Sequence, residues 1–171
     1  NLAAKGCHLA LSDVNEQGLR DTARLITNKT IKVTTHRVDV ANREQVYRYA
    51  DDVVKQHGRV NIIINNAGVA VGDSIEEVSY EDFEWIVGIN FWGVVYGTKA
   101  FLPHLRKEPE GHIVNISSIN GIVPNPLTGP YCSTKFAVKG FTETLCQEQR
   151  GTSVGETAVH PGRIGTGSVR N

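Results

Sequence analysis

The chain has 171 residues with 18 basic and 18 acidic side chains, so its formal net charge is zero; a nucleic-acid binder, which presents a basic face, is not expected. Hydrophobic residues make up 40% and charged residues 21%, a composition that fits one packed domain over residues 1–171 and argues against disorder. No apolar run approaches the ~20 residues of a membrane helix, so no membrane partner is expected. The three cysteines (Cys7, Cys132, Cys146) have no metal-type spacing and the six histidines are scattered; the expectation is reduced thiols in a cytoplasmic protein without a metal.

In chain order, the sequence opens on NLAAKG, which reads as the tail of a helix closed by Gly6. It contains no methionine, and the expectation is an internal piece of a longer chain. CHLALSD (Cys7 to Asp13) is a short apolar run ending in an acid, a strand. Glu16 to Leu25 has helical spacing. The β-branched IKVTTHRVDV (Ile31 to Val40) is a second strand. Gln45 to Gln56 carries a helical apolar face on Val46, Tyr49, Ala50, Val53 and Val54. VNIIINNAG (Val60 to Gly68) holds a continuous Ile run, the mark of a strand buried on both faces of a parallel sheet. A long helical stretch covers Phe83 to Arg106. Its acidic approach, Ile75 to Glu84, suits a solvated helix start. HIVNISS (His112 to Ser118) is another buried strand, INGIVPNPLTGP a loop, Tyr131 to Arg150 a helix, and Gly155 to Gly162 a last strand. Strand and helix alternate throughout. The fold class is therefore α/β: a three-layer, doubly wound parallel sheet with right-handed crossovers.

In such a sheet the ligand sits outside the carboxyl ends of the strands. Those ends carry Asp13, Asp39, Asn65-Asn66-Ala67-Gly68, Ser117-Ser118 and Pro161-Gly162, polar or small residues that let a flat ligand approach the backbone. Tyr131 and Lys135 lie four apart on one helix and share a face. A phenol holds its proton until about pH 10, and an ammonium one turn away favours the phenolate. Tyr131 is thus a candidate acid and base toward an alcohol oxygen, and Ser118 could hydrogen-bond the same oxygen. Tyr-x-x-x-Lys is also common on amphipathic helices with no such role; the context of Ser118 on a buried strand end favours chemistry here.

Taken together, NNAG (Asn65 to Gly68), Asn90 within GINFWGVVYGTKAF, NISS ending at Ser118, YCSTK (Tyr131 to Lys135) and HPGRIGT (His160 to Thr166) resemble the short-chain dehydrogenase/reductase family over nearly the whole chain. The resemblance implies a Rossmann-type domain and hydride transfer between a nicotinamide cofactor and a carbonyl or secondary alcohol. It implies Tyr131 as acid/base, Lys135 lowering its pKa and holding the nicotinamide ribose, Ser118 orienting the substrate oxygen, and Asn90 positioning a relay water. It also implies cofactor contacts from Asp39 and Val40 to the adenine, from Asn66, Ala67 and Gly68 along the adenosine ribose, and from Ile164 and Thr166 to the carboxamide, with Tyr131, Pro161 and Gly162 also among the cofactor-binding residues. Asp13, at the end of the first strand, would bond the ribose 2′-hydroxyl and select NAD over NADP; its sequence neighbours Ser12, Val14 and Asn15 include no arginine for a 2′-phosphate. A homodimer or homotetramer through the two long helices is a further implication.

Two departures shape the expectations. The family's glycine-rich loop, about 20 residues before Asp13, falls before Asn1, and with it a central strand between CHLALSD and NIIINN. The substrate lid that follows the last strand in the family falls beyond Asn171. The sequence therefore reads as incomplete at both ends, and a truncated, non-catalytic binding or scaffold subunit is the alternative. An epimerase or dehydratase using the same site is a weaker one. For substrate, Val123, Pro124 and Leu127 are expected to form an apolar pocket wall.

Overall fold

A computed structural model describes residues 1–162 and the backbone of 169–170; Ile164 and Thr166 lie outside the described residues, as does Arg163. Strand β1 (Leu9–Asp13) pairs in parallel with β2 (Val33–Arg37), Leu9 opposite Val33 and Asp13 opposite Arg37. A second parallel sheet has the order β3-β5-β6, from Ile62–Asn65, Gly111–Ile116 and Val154–Val159. A short parallel pair joins β4 (Ala70–Val71) to β7 (Val169–Arg170). β1 and β3 are not hydrogen-bonded to each other, so the two larger sheets face each other across a gap where the sequence reading places a central strand.

The helices begin where short polar side chains can satisfy their first free N–H groups. Asn15 caps α1 (Glu16–Arg24), Asn42 caps α2 (Arg43–His57), and Ser79 caps α3 (Tyr80–Val87). The acidic residues of the Ile75 to Glu84 stretch fall on that last start, with Glu81 and Asp82 in the first turn, where they complement the helix dipole. α4 (Gly93–Leu105) and α5 (Gly129–Glu148) complete the set. At the N-terminus a 3-10 turn, Ala3–Lys5, ends at Gly6 in the left-handed region (φ 85°), a conformation glycine adopts without steric cost.

One apolar core forms where α2, α4 and α5 pack on the sheets. Val46, Ala50 and Val53 of α2 meet Ala100, Phe101 and Leu105 of α4 and Leu145 of α5 over Ile113 of β5, with Ile63 and Ala10 packed alongside. α2 also ties the two sheets together, its Tyr49 hydroxyl donating to the Ala10 carbonyl at 3.1 Å. The Ile run departs from full burial on both faces: Ile63 joins the core, while Ile62 and Ile64 are 49% and 44% exposed. Alternation sends them to the opposite face, and α2, α4 and α5 all pack on the core side.

The long helix expected from Phe83 to Arg106 is present but widened in the middle. Gly88–Trp92 is a π-helical segment, in which the Gly93 N–H reaches back to the Gly88 carbonyl. Such single-turn bulges re-aim a side chain. The residue re-aimed here is Asn90, fully buried. Further along the helix, Trp92 stacks on Tyr96 and Phe91 meets Phe141 of α5 edge-on, with Trp92 and Phe136 exposed. No helix among the described residues is long and apolar enough to cross a membrane.

Candidate active site

The carboxyl ends of β1, β2, β3 and β5 open into one cavity of about 1010 Å³. Asp13, Asp39, Val40, Asn66, Ala67, Gly68, Ser118, Tyr131, Lys135, Pro161 and Gly162 all line it; of the described residues expected there, Asn90 and the loop residues Val123, Pro124 and Leu127 do not. The lining extends inward to the core residues Val38, Val46, Ile63 and Phe101, so part of this volume is the space between β1 and β3 in which the central strand is expected.

At one end stand the acids. Asp13 accepts the Asn15 N–H at Oδ1 (2.9 Å) and so closes the turn into α1; the helix cap itself is Asn15, whose side chain accepts from Gly18. Asp39 holds its own turn in the same way, Oδ1 accepting the Ala41 N–H at 2.9 Å. Val40 lies against Gly93, where a Cβ would come within 2.9 Å of it. The absence of an arginine beside Asp13 holds along the chain but not in space. The β1–β2 register sets Arg37 level with Asp13, and neighbours across strands are invisible to a search of adjacent positions.

At the other end is α5. Pro130 stands at its start and Tyr131 on its first turn. Lys135, one turn on, holds its ammonium 5.5 Å from the centroid of the Tyr131 ring. It is 3% exposed, and Nζ donates to the Ile116 carbonyl at 2.9 Å. Burial draws its pKa down to about 8, because a buried ammonium loses hydration that one carbonyl only partly replaces. A Cβ on Gly68 would sit 3.4 Å from that Nζ, so the NNAG loop and the lysine share one corner of the cavity. Ser118 Oγ accepts the Asn120 N–H at 3.1 Å. A hydroxyl so engaged keeps its own proton to donate.

Asn90 is fully buried beside the cavity rather than on its wall. Its carboxamide is committed to protein: Oδ1 accepts the Val69 N–H (2.8 Å), and Nδ2 donates to the Val69 carbonyl (2.9 Å) and to Thr134 Oγ1 (3.2 Å). It clamps the loop that follows NNAG against α5. The apolar wall expected from Val123, Pro124 and Leu127 is corrected. The Leu127 carbonyl accepts the Asp73 N–H at 3.0 Å, and Leu127 adopts φ 59°. The loop therefore presents Ile119, Asn120, Asn125 and Thr128 to the cavity, and leaves Ile122, Val123 and Leu127 exposed at the surface.

Several supporting residues lie inside the quoted motifs, but their partners show only in the structure. Asn65 donates to Asn115 Oδ1 at 2.8 Å and to Thr98 at 3.3 Å, and Asn115 donates to Thr142 at 3.0 Å. This buried network fastens β3 and β5 to α4 and α5 directly beneath the site. His160 Nδ1 meets the Ser118 carbonyl at 3.0 Å; a carbonyl only accepts, so Nδ1 carries the proton. It extends the β5–β6 ladder by one side chain. No group of three or more His, Cys, Asp or Glu among the described residues could hold a metal ion, and Cys7, Cys132 and Cys146 are free thiols.

Comparison with known proteins agrees with this geometry. The family described as short chain dehydrogenase matches residues 1–171. A Mycobacterium tuberculosis protein named as an oxidoreductase, SadH, is 47% identical over 173 residues, covering 100% of this chain and 63% of the relative. The chain thus spans about 63% of that relative's length. Among solved structures, a short chain dehydrogenase/reductase from Burkholderia phymatum in complex with NAD is 36% identical with a TM-score of 0.93, covering 97% of this chain and 60% of that one. An alcohol dehydrogenase from the archaeon Thermococcus sibiricus, complexed with 5-hydroxy-NADP, is 29% identical with a TM-score of 0.91, covering 99% and 73%. By its motifs, by its parallel-sheet fold and by these matches, the chain belongs to the short-chain dehydrogenase/reductase family of oxidoreductases.

Proposed function

We propose that the chain transfers a hydride between a nicotinamide cofactor, NAD in preference to NADP, and a carbonyl or secondary alcohol, with Tyr131 as acid and base. One observation carries the reading: Tyr131, Lys135 and Ser118 share the wall of a single cavity whose far end is Asp13 and Asp39. The lining fits a dinucleotide. Small residues at Ala67, Gly68 and Gly162 let a flat ligand lie along the backbone, and the acids at the far end suit ribose hydroxyls. Asp39 and Val40 would flank the adenine, Asn66 to Gly68 the adenosine ribose, and Lys135 the nicotinamide ribose.

When bound, the reduced cofactor supplies the hydride that attacks the carbonyl carbon. As charge builds on the oxygen, Tyr131 gives it the phenolic proton. The Ser118 hydroxyl, its acceptor side occupied by the Asn120 N–H, donates a hydrogen bond to the same oxygen. The Lys135 ammonium stabilises the phenolate that remains. In oxidation Tyr131 takes the proton back. Asn90 is a positioning residue in this scheme, fixing the loop against which the ribose rests.

The test is Tyr131→Phe in the full-length protein. Turnover should fall by about 10²-fold or more, the scale of a lost general acid, while the NADH dissociation constant stays within about twofold. Turnover that survives would remove Tyr131 from the chemistry.

A further inference from the structure

The register of β1 and β2 sets Asp13 and Arg37 side by side at the strand ends. Partners in parallel strands share a face of the sheet. Helix α1 begins three residues after Asp13, and its first residue, Glu16, reaches Arg37: Nε to Oε1 is 3.6 Å. The other oxygen of Glu16 meets Arg20 at 3.5 Å. Beside the Asp13 end of the cavity, just outside its lining, Glu16 thus pairs with two guanidiniums, those of Arg37 and Arg20, with Asp13 level with Arg37 on the neighbouring strand. The side chains of Glu16 and Arg37 are 56% and 64% exposed. An ion pair in that setting is weak and exchanges its partner easily, whereas a phosphate offers a guanidinium a bidentate, charge-assisted contact.

We propose that Arg37 is a receptor for the 2′-phosphate of NADP, held off that role by Glu16, so that Glu16 and Arg37 set with Asp13 how sharply the phosphorylated cofactor is rejected. The inference rests on the dinucleotide reading above and extends it to residues outside the cavity lining. Asp13 repels the phosphate directly. Glu16 acts by keeping Arg37 turned toward α1. With Glu16 neutral, Arg37 has no acid to hold it there, and the corner gains one positive charge.

The experiment is fluorescence titration of the full-length protein with NADH and with NADPH, at two salt concentrations. The variants are Glu16→Gln, Glu16→Gln with Arg37→Gln, and Glu16→Gln with Arg37→Lys, each checked by circular dichroism. Glu16→Gln should tighten NADPH roughly tenfold, the worth of one charge-assisted contact, and leave NADH within about twofold. Adding Arg37→Gln should cancel the gain, Arg37→Lys should keep part of it, and salt should shrink it. Equal NADPH affinity with and without Arg37 in the Glu16→Gln background would overturn the proposal. Folded wild-type protein that binds neither nucleotide would overturn the dinucleotide reading itself, and with it the inference.

Discussion

Lys135 is a buried ammonium whose lost hydration the Ile116 carbonyl only partly replaces. It is 3% exposed, and its pKa lies at about 8 against ~10.4 in an unfolded chain. Between those values the unfolded chain holds a proton that the native chain has released, so this residue makes stability rise with pH across that window. Below pH 8 both forms are protonated and the penalty stays constant. Lys135→Met removes the term. Wild-type stability minus that of Lys135→Met should therefore grow by roughly 2 kcal/mol between pH 7 and pH 10, read from urea unfolding at each pH. A flat difference would mean that the ammonium is better solvated than its burial implies. Ser118, Tyr131 and Lys135, which one cavity brings together, were legible in the sequence because each is a reactive type at a fixed spacing or at a strand end. Arg37 and the Asn90 clamp were not: the one depends on strand register, the other on which backbone groups a bulged helix faces. Neither leaves a mark on adjacent positions.

Elements were legible where local chemistry sets them. Asn15, Asn42 and Ser79 mark helix starts, and the apolar periodicity of α2 survives intact in the core. What escaped was the contact between elements. Gly97 of α4 is an example. Its neighbour is Asn65 of β3, and a Cβ on Gly97 would come within 2.1 Å of Asn65 Oδ1. The helix can approach the strand only because the side chain is missing. Gly140 of α5 has nothing within 4 Å of the same position. Two identical substitutions should therefore have opposite signs. Gly97→Ala displaces the buried Asn65–Asn115 network and should cost about 2 kcal/mol or more. Gly140→Ala gains helix propensity and should stabilise by about 0.5–1 kcal/mol. Urea midpoints of the two variants decide it. If both destabilise, α5 makes contacts at Gly140 that this packing lacks; if neither does, α4 and β3 are not held as closely as described.

At the scale of the whole molecule, the two larger sheets share no backbone hydrogen bond among the described residues, and the central strand expected from the sequence would lie between them. Within these residues they meet through α2, by the Tyr49–Ala10 bond and the shared core. Asp13 and Asp39 belong to the β1–β2 side of the cavity, and Tyr131, Lys135 and Ser118 to the β5–α5 side. A dinucleotide touching both ends would resist any motion that separates them. Binding to the native state alone adds about 2.7 kcal/mol at a ligand concentration 100 times Kd. Every amide that exchanges by parting the two sides should then slow by up to about a hundredfold. Hydrogen exchange of the full-length protein with saturating NADH should thus show strong added protection in Leu9–Asp13 and Val33–Arg37, as well as at the start of α5. A ligand held at one end only would leave β1 and β2 exchanging at their free rates. Protection confined to Tyr131–Lys135 would accordingly show that the acids of the far end take no part in binding, and cofactor choice could not then rest on Asp13.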